Sequence, residues 1–172
     1  GFVDLCTGVE SGSDKILGVI DKQTTRAINK NFVDLCHKHG IRAKAFMSLA
    51  QAGESYETAM ETKDWLIWAK PDDLDITVVT IYPGTPYWDK REQVGITSEG
   101  RPVCRYTKKS LNPIENGATL FFEEIDYASS FAFYKGRPKE YKSNTWTPDL
   151  SKEDLVSLRD QIEDDVRKAL AI

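Results

Sequence analysis

Glu10 stands in the stretch Gly8-Val9-Glu10-Ser11-Gly12-Ser13, a carboxylate and two hydroxyls framed by two glycines. Phe2 to Val9 ahead of it reads as a short strand, and Asp14 onward turns helical. A carboxylate at the end of a parallel strand can accept two hydroxyl hydrogen bonds at once, the usual grip on a ribose diol. Ser11 and Ser13 would add adaptable donors, and Gly8 and Gly12 would let the backbone approach a ligand. The same residues also fit a plain helix start, with Ser11 or Ser13 as N-cap and Glu10 as a solvated turn residue. Lys22, twelve positions beyond Glu10, can reach back to an anion such as an α-carboxylate, or stand in solvent as most lysines do.

Two more loops carry candidate groups. In Ala50-Gln51-Ala52-Gly53-Glu54-Ser55 the glutamate precedes a helix, and its charge fits the positive end of the helix dipole. Tyr82-Pro83-Gly84-Thr85-Pro86 is a tight turn. Ile81 and Tyr82 ahead of it could offer backbone groups and an aromatic face to a flat base. Cys6, Cys36 and Cys104 are odd in number and far apart, and His37 and His39 point to different faces of a helix, so no metal-ligand spacing is present. The cysteines read as reduced thiols of a cytoplasmic protein, with Cys6 and Cys36 in the core. No nucleophile elbow, P-loop, zinc-protease helix or dinucleotide fingerprint occurs.

The elements that must position these groups alternate. Ala27, Ile28, Phe32, Leu35, Cys36 and His39 recur at helical spacing after a Thr24 or Thr25 cap, and Gly40 stops that helix. Ile41 to Ala50 alternates with period two, Ala43, Ala45, Met47 and Leu49 against Arg42, Lys44, Phe46 and Ser48, which makes a strand. Tyr56 to Lys70 reads as a helix with Ala59, Leu66 and Ala69 inward. Leu74 to Ile81 is apolar enough for a strand buried on both faces. Strand starts near residues 2, 41 and 74 give a β/α unit of roughly 35 residues, hence parallel strands with right-handed crossovers. The loops carrying Glu10, Glu54 and Tyr82 then collect on one rim. Residues 88–117 read as a long irregular excursion. Ala118 to Tyr127 and Ser130 to Gly136 read as a β-hairpin joined near Ala128, and Ser151 with Asp154 caps a final helix with Leu155, Leu158, Ile162 and Val166 on one stripe.

The chain has 172 residues, 40% of them hydrophobic, and a formal net charge of −4. That length supports a core without staples, and the acidic balance argues against a nucleic-acid surface. No apolar run reaches the length of a membrane span.

Taken in order, "GVESGSDKILGVIDKQTT", "CHKHGIRAKAFMSLAQAGES" and "DITVVTIYPGTPYWD" resemble the second half of the barrel of radical S-adenosylmethionine enzymes. They look most like the group often preceded by a cobalamin-binding domain. The resemblance covers residues 1–90; residues 91–172 are similar to the C-terminal extension of some members. It implies an α/β fold, a partial TIM-like (β/α) barrel of about three parallel βα units, followed by a β-hairpin and helix. It implies that Glu10 and Ser11 contact the ribose or methionyl end of S-adenosylmethionine, that Lys22 faces the methionine carboxylate, that Met47 and Ser48 flank the adenosine, and that Ile81 and Tyr82 meet the adenine edge. The parent would use a 4Fe-4S cluster to cleave S-adenosylmethionine reductively to a 5′-deoxyadenosyl radical, with cobalamin use left open.

Two departures stand out. The C-x-x-x-C-x-x-C loop that holds the cluster is absent, so the chain is expected to be part of a longer protein, inactive alone and partnered by the other half of the barrel. The usual G-L-P-G-E reads Ala50-Gln51-Ala52-Gly53-Glu54, which changes backbone freedom there. A non-catalytic half-barrel scaffold is the alternative; it should either form a homo-oligomer through its open sheet edge or cover itself with its C-terminal elements. A separate α/β enzyme taking a phosphate or sugar at the Glu10 turn is a third reading.

Overall fold

A computed structural model describes residues 1–108, 117–128 and 140–172. Strands β1 (Asp4–Glu10), β2 (Arg42–Leu49) and β3 (Asp73–Val78) pair in parallel in the order β1-β2-β3. Helices α1 (Asp14–Val19) and α2 (Arg26–Lys38) join β1 to β2, and α3 (Tyr56–Ala69) joins β2 to β3. The period-two alternation works as the side-chain pleat requires. Ala43, Ala45, Met47 and Leu49 of β2 and Leu74, Ile76 and Val78 of β3 are all buried.

The opposite face of this sheet is polar. There the Lys44 ammonium bridges Asp73 at 2.8 Å and Asp75 at 3.2 Å, and the hydrogen bond to Asp73 leads in holding the lysine pKa above its ordinary value. β3 is therefore buried on one face, not two, and it ends at Val78 rather than Ile81.

Local signals set the helix ends. Thr25 Oγ1 accepts the Ile28 N–H at 3.2 Å, and Gly40 takes the left-handed φ of +68° that follows the last turn of α2. Ser55 makes a reciprocal capping box with Thr58 at the start of α3. The inward face of α2 differs from the expected stripe. Val33 and Cys36 are buried, whereas Ala27, Ile28, Leu35 and His39 are exposed. Helical periodicity defines two adjoining apolar stripes here, and the sheet and α3 cover only one of them. Trp65 of α3 fills the seam, and its indole N–H donates to the Arg26 carbonyl at 2.8 Å.

After β3 a four-residue helix, α4 (Pro86–Asp89), begins with Thr85 as N-cap and proline at its first position. An antiparallel sheet follows in the order β4-β5-β6-β7: β4 (Glu92–Ile96), β5 (Pro102–Lys108), β6 (Ala118–Glu123) and β7 (Thr145–Trp146). The expected irregular excursion thus contains two strands. The short alternation of β5, with Cys104 and Tyr106 inward, becomes decisive only once β6 pairs with it. Ala118–Glu123 is the first strand of the expected hairpin; its second, Ser130 to Gly136, lies outside the described residues.

The last helix, α5 (Lys152–Leu170), starts at the Ser151/Asp154 capping box and buries Leu155, Leu158, Ile162 and Val166. It also closes one edge of the parallel sheet. Arg159 Nε donates to the Ile76 carbonyl at 2.9 Å and Arg167 Nη2 to the Leu74 carbonyl at 2.7 Å. The Tyr141 hydroxyl accepts the Val78 N–H at 2.8 Å and donates to the Val78 carbonyl at 3.0 Å. Edge groups of a sheet need such partners. Among the described residues no strand pairs with the outer edge of β1.

One core, including Val9, Leu66, Ile76, Phe122 and Leu155, runs through both sheets. Among the described residues no helix is long and apolar enough to cross a membrane.

Candidate functional site

The C-terminal tips of β1 and β2 share an unusual backbone device. Glu10 has φ +68° and Ala50, just past β2, has φ +65°. A left-handed conformation costs a residue with a side chain of the order of 1 kcal/mol or more, so its retention at two adjacent tips marks a local constraint. At Glu10 it coincides with a register shift between Gly8 and Glu10 in the β1–β2 pairing.

In that position the Glu10 carboxylate accepts the Lys22 ammonium at Oε1, 3.1 Å, and the Ser48 hydroxyl at Oε2, 3.1 Å. Ser48 Oγ in turn accepts Gln51 Nε2 at 2.8 Å, and Gln51 Oε1 accepts the Tyr87 hydroxyl at 2.9 Å. Burial pushes the Tyr87 phenol up to about 12, which keeps it a donor. The result is a five-residue polar chain, Lys22–Glu10–Ser48–Gln51–Tyr87, across the rim of the sheet. Gly8 leaves room for it: a Cβ there would lie 2.4 Å from Glu10 Oε1 and 3.3 Å from Lys22 Nζ.

Three of the seven residues singled out by sequence, Glu10, Lys22 and Ser48, are brought together in this way. The other four are not. Ser11 is buried, and its hydroxyl shares a hydrogen bond with Thr62 Oγ1 at 3.2 Å and accepts the Ser13 N–H at 3.1 Å. It fixes the loop onto α3 instead of facing a ligand. Met47 alternates to the helix side of β2, where it is 2% exposed, so it shares no face with its neighbour Ser48. The Ile81 carbonyl accepts the Tyr127 hydroxyl at 2.8 Å, and the Tyr82 carbonyl accepts the Thr85 hydroxyl at 2.7 Å. The Tyr82 ring lies 5.5 Å from the Tyr127 ring, centroid to centroid. Both residues have left the strand, and these backbone groups are engaged within the protein.

Gly12 also has a different job from the one expected. A Cβ there would lie 2.7 Å from the Glu61 carbonyl and 2.5 Å from Trp65 Cβ, so its bareness permits α3 to approach, not a ligand. Ser13 is the N-cap of α1 by backbone position, but its side chain makes no capping bond.

Glu54 departs furthest from expectation. It is 0% exposed, far more deeply buried than a helix-dipole partner needs to be. Oε1 accepts the Thr58 hydroxyl at 2.8 Å, and Oε2 has no hydrogen-bond partner among the described residues. Burial, the largest cause, raises its pKa to about 7. The loop around it is clamped by the other sheet and the residue just past it: the Gly53 N–H donates to the Thr119 carbonyl at 3.1 Å and Thr147 Oγ1 to the Glu54 carbonyl at 2.9 Å.

Beside the polar chain opens a cleft of about 720 Å3, bounded by the end of α1 (Val19, Ile20), the loop after β2 (Gln51), α4 (Pro86, Tyr87) and β5 (Tyr106). Gln51 and Tyr87 belong both to the cleft and to the chain that ends on Glu10. Neither was legible as functional in the sequence. The only trace was that Gln51 interrupts the G-L-P-G-E pattern of the resemblance.

Cys6, expected in the core, is instead exposed on β1, whereas Cys36 is buried as expected and Cys104 is buried on another element. Among the described residues no group of three or more His, Cys, Asp or Glu could hold a metal ion. An iron–sulfur cluster does not fit the ligands at hand.

No family model matches the chain. Over 82 residues, 48% of the chain, it is 32% identical to a protein of Methanocaldococcus jannaschii named "Putative methylthiotransferase". The aligned part spans 18% of that relative's length, and the likeness to this methylthiotransferase is what the comparisons add to the geometry of the rim.

Proposed function

We propose that this chain is the cofactor-positioning part of a radical S-adenosylmethionine enzyme. The observation that carries the reading is the Glu10 carboxylate, held at a strand tip between the Lys22 ammonium and the Ser48 hydroxyl. The likeness to a methylthiotransferase-named protein and the three ordered rim loops support it. The donor set suits an adenosyl ligand. A carboxylate can take both hydroxyls of a ribose diol, and an ammonium beside it can take a methionine carboxylate, Lys22 exchanging one carboxylate for another. When bound, S-adenosylmethionine supplies the bond that is cleaved reductively. This chain's residues orient it: Gly8 keeps the space, Ser48 sets the carboxylate plane, and Gln51 with Tyr87 braces Ser48. The cluster would have to be held by residues outside this chain.

Isothermal titration of S-adenosylmethionine into the chain tests the reading. Replacing Glu10 with Ala removes the charged acceptor and is expected to weaken binding by about ten- to a hundredfold. A variant that binds as well as the parent would overturn it.

A non-catalytic scaffold is the second reading, favoured by the outer edge of β1, with which no strand pairs among the described residues, and by Phe2 and Val3 just ahead of that strand, 79% and 77% exposed. Exposed edges and apolar side chains together promote pairing. Under that reading sedimentation equilibrium finds a concentration-dependent dimer. A monomer across the whole concentration range rules it out.

A further inference from the structure

The cleft beside the Glu10 chain has a chemistry of its own. Its volume, about 720 Å3, falls in the range of small-molecule sites. Tyr87 and Tyr106 form one wall, with ring centroids 4.6 Å apart at 71°, edge to face. Val19, Ile20 and Pro86 add apolar surface.

The two lysines at its border differ. Lys108 is committed: its ammonium pairs with Asp21 at 2.7 Å and donates to the Val19 carbonyl. Lys90, on the lining and exposed, has no ion pair among the described residues. With Asp21 paired to Lys108, Lys90 is the cleft's cation without an ion pair among the described residues, and it stands at the edge of an aromatic and apolar wall. Such a surface gains from an anion, which finds a partner at Lys90, and from an apolar body, which displaces water from the tyrosine rings.

We propose that this cleft binds a small organic anion with an aromatic or apolar body, its charged group at Lys90 and its body against Tyr87 and Tyr106. That this is the substrate side of the Glu10 site rests on the functional reading above; the binding itself does not. Gln51 places the two together, since one amide side chain reaches both Ser48 and Tyr87.

Phenylacetate and phenyl phosphate are the probes, with benzyl alcohol as the neutral control, titrated into the 15N-labelled chain. Both anions are expected to shift the amides of Gln51, Tyr106 and Thr107. The tighter of the two, expected to bind about tenfold better than the alcohol, identifies carboxylate or phosphate as the preferred group.

Lys90→Gln, at an exposed position that burdens no packing, should abolish most of the preference for anions. Tyr106→Phe should leave the preference and alter only the shifts at the wall. Equal binding of anion and alcohol, an unchanged preference in Lys90→Gln, or shifts centred on Arg101 and Lys152 in the cleft beside α5 would overturn the assignment. S-adenosylmethionine is titrated separately. Anion binding without adenosyl binding sinks the functional reading and keeps the cleft; adenosyl binding without anion binding does the reverse.

Discussion

Lowering the pH from 8 to 5 is expected to stabilise the folded chain by about 2.5 kcal/mol through Glu54 alone. Burial raises its folded pKa from 4.5 to about 7. The hydrogen bonds from Thr58 and the Gln51 backbone work against the rise, as does the charge of Lys15, while Glu61 adds to it. The folded state therefore holds a proton that the unfolded state has released between those two values. Stability is greatest below the unfolded value, falls as pH climbs to about 7, and is flat above.

The orphaned Oε2 is the structural reason: the ionised group has nowhere to place the second half of its charge. Glu54→Gln keeps an acceptor for Thr58 and cannot ionise, so it should flatten this slope and exceed the parent in stability at pH 8. Urea midpoints of the two proteins at pH 5, 6, 7 and 8 give the difference free of all other carboxylates. Parallel curves would show that Glu54 is ionised in the folded state.

Gly12→Ala is expected to cost about 3 kcal/mol of stability, at the upper end for a one-methyl overpacking. The added Cβ would stand 2.7 Å from the Glu61 carbonyl and from Thr62 Cα, and 2.5 Å from Trp65 Cβ. These are backbone and near-backbone atoms of α3, which cannot withdraw without dragging Trp65 and its bond to Arg26. Gly8→Ala is the contrast. Its Cβ meets only the tips of Glu10 and Lys22, side chains free to swing away, so the stability cost is expected below about 1 kcal/mol. The cost there is functional, because Glu10 must leave Ser48. Denaturant midpoints and adenosyl titration of both variants separate the two glycines. A Gly8 variant less stable than the Gly12 variant would reverse their roles.

The two glycines show where local pattern stops being informative. Both flank the same carboxylate four positions apart, and both read as backbone left bare for a ligand. One is bare for Glu10's own side chain and the other for α3, a distinction made by a helix some fifty residues further along the chain. Ser11 was lost to the same contact, since Thr62 takes its hydroxyl. The backbone of the Glu54 loop is likewise held by Thr119 of the second sheet and Thr147 just beyond it, partners that its sequence neighbours do not announce.

What the sequence determined by itself is what short-range physics controls. Alternating small apolar residues made β2 and chose its inward face, Thr25, Ser55 and Ser151 started helices, Gly40 ended one, and the β/α rhythm set three parallel strands with their loops on one rim. Within that frame Glu10 and Ser48 could be named because each sits at or beside a strand tip, and Lys22 because the short helix α1 carries it twelve positions on, back within reach of Glu10.

Only the tertiary structure decided which stripe of α2 faces inward, that residues 92–108 pair as strands, and that Gln51 and Tyr87 complete the polar chain. It also decided that Met47, Ile81 and Tyr82 turn elsewhere. These outcomes depend on what covers a face or satisfies a backbone group, and those partners come from distant parts of the chain whose arrival no local period encodes.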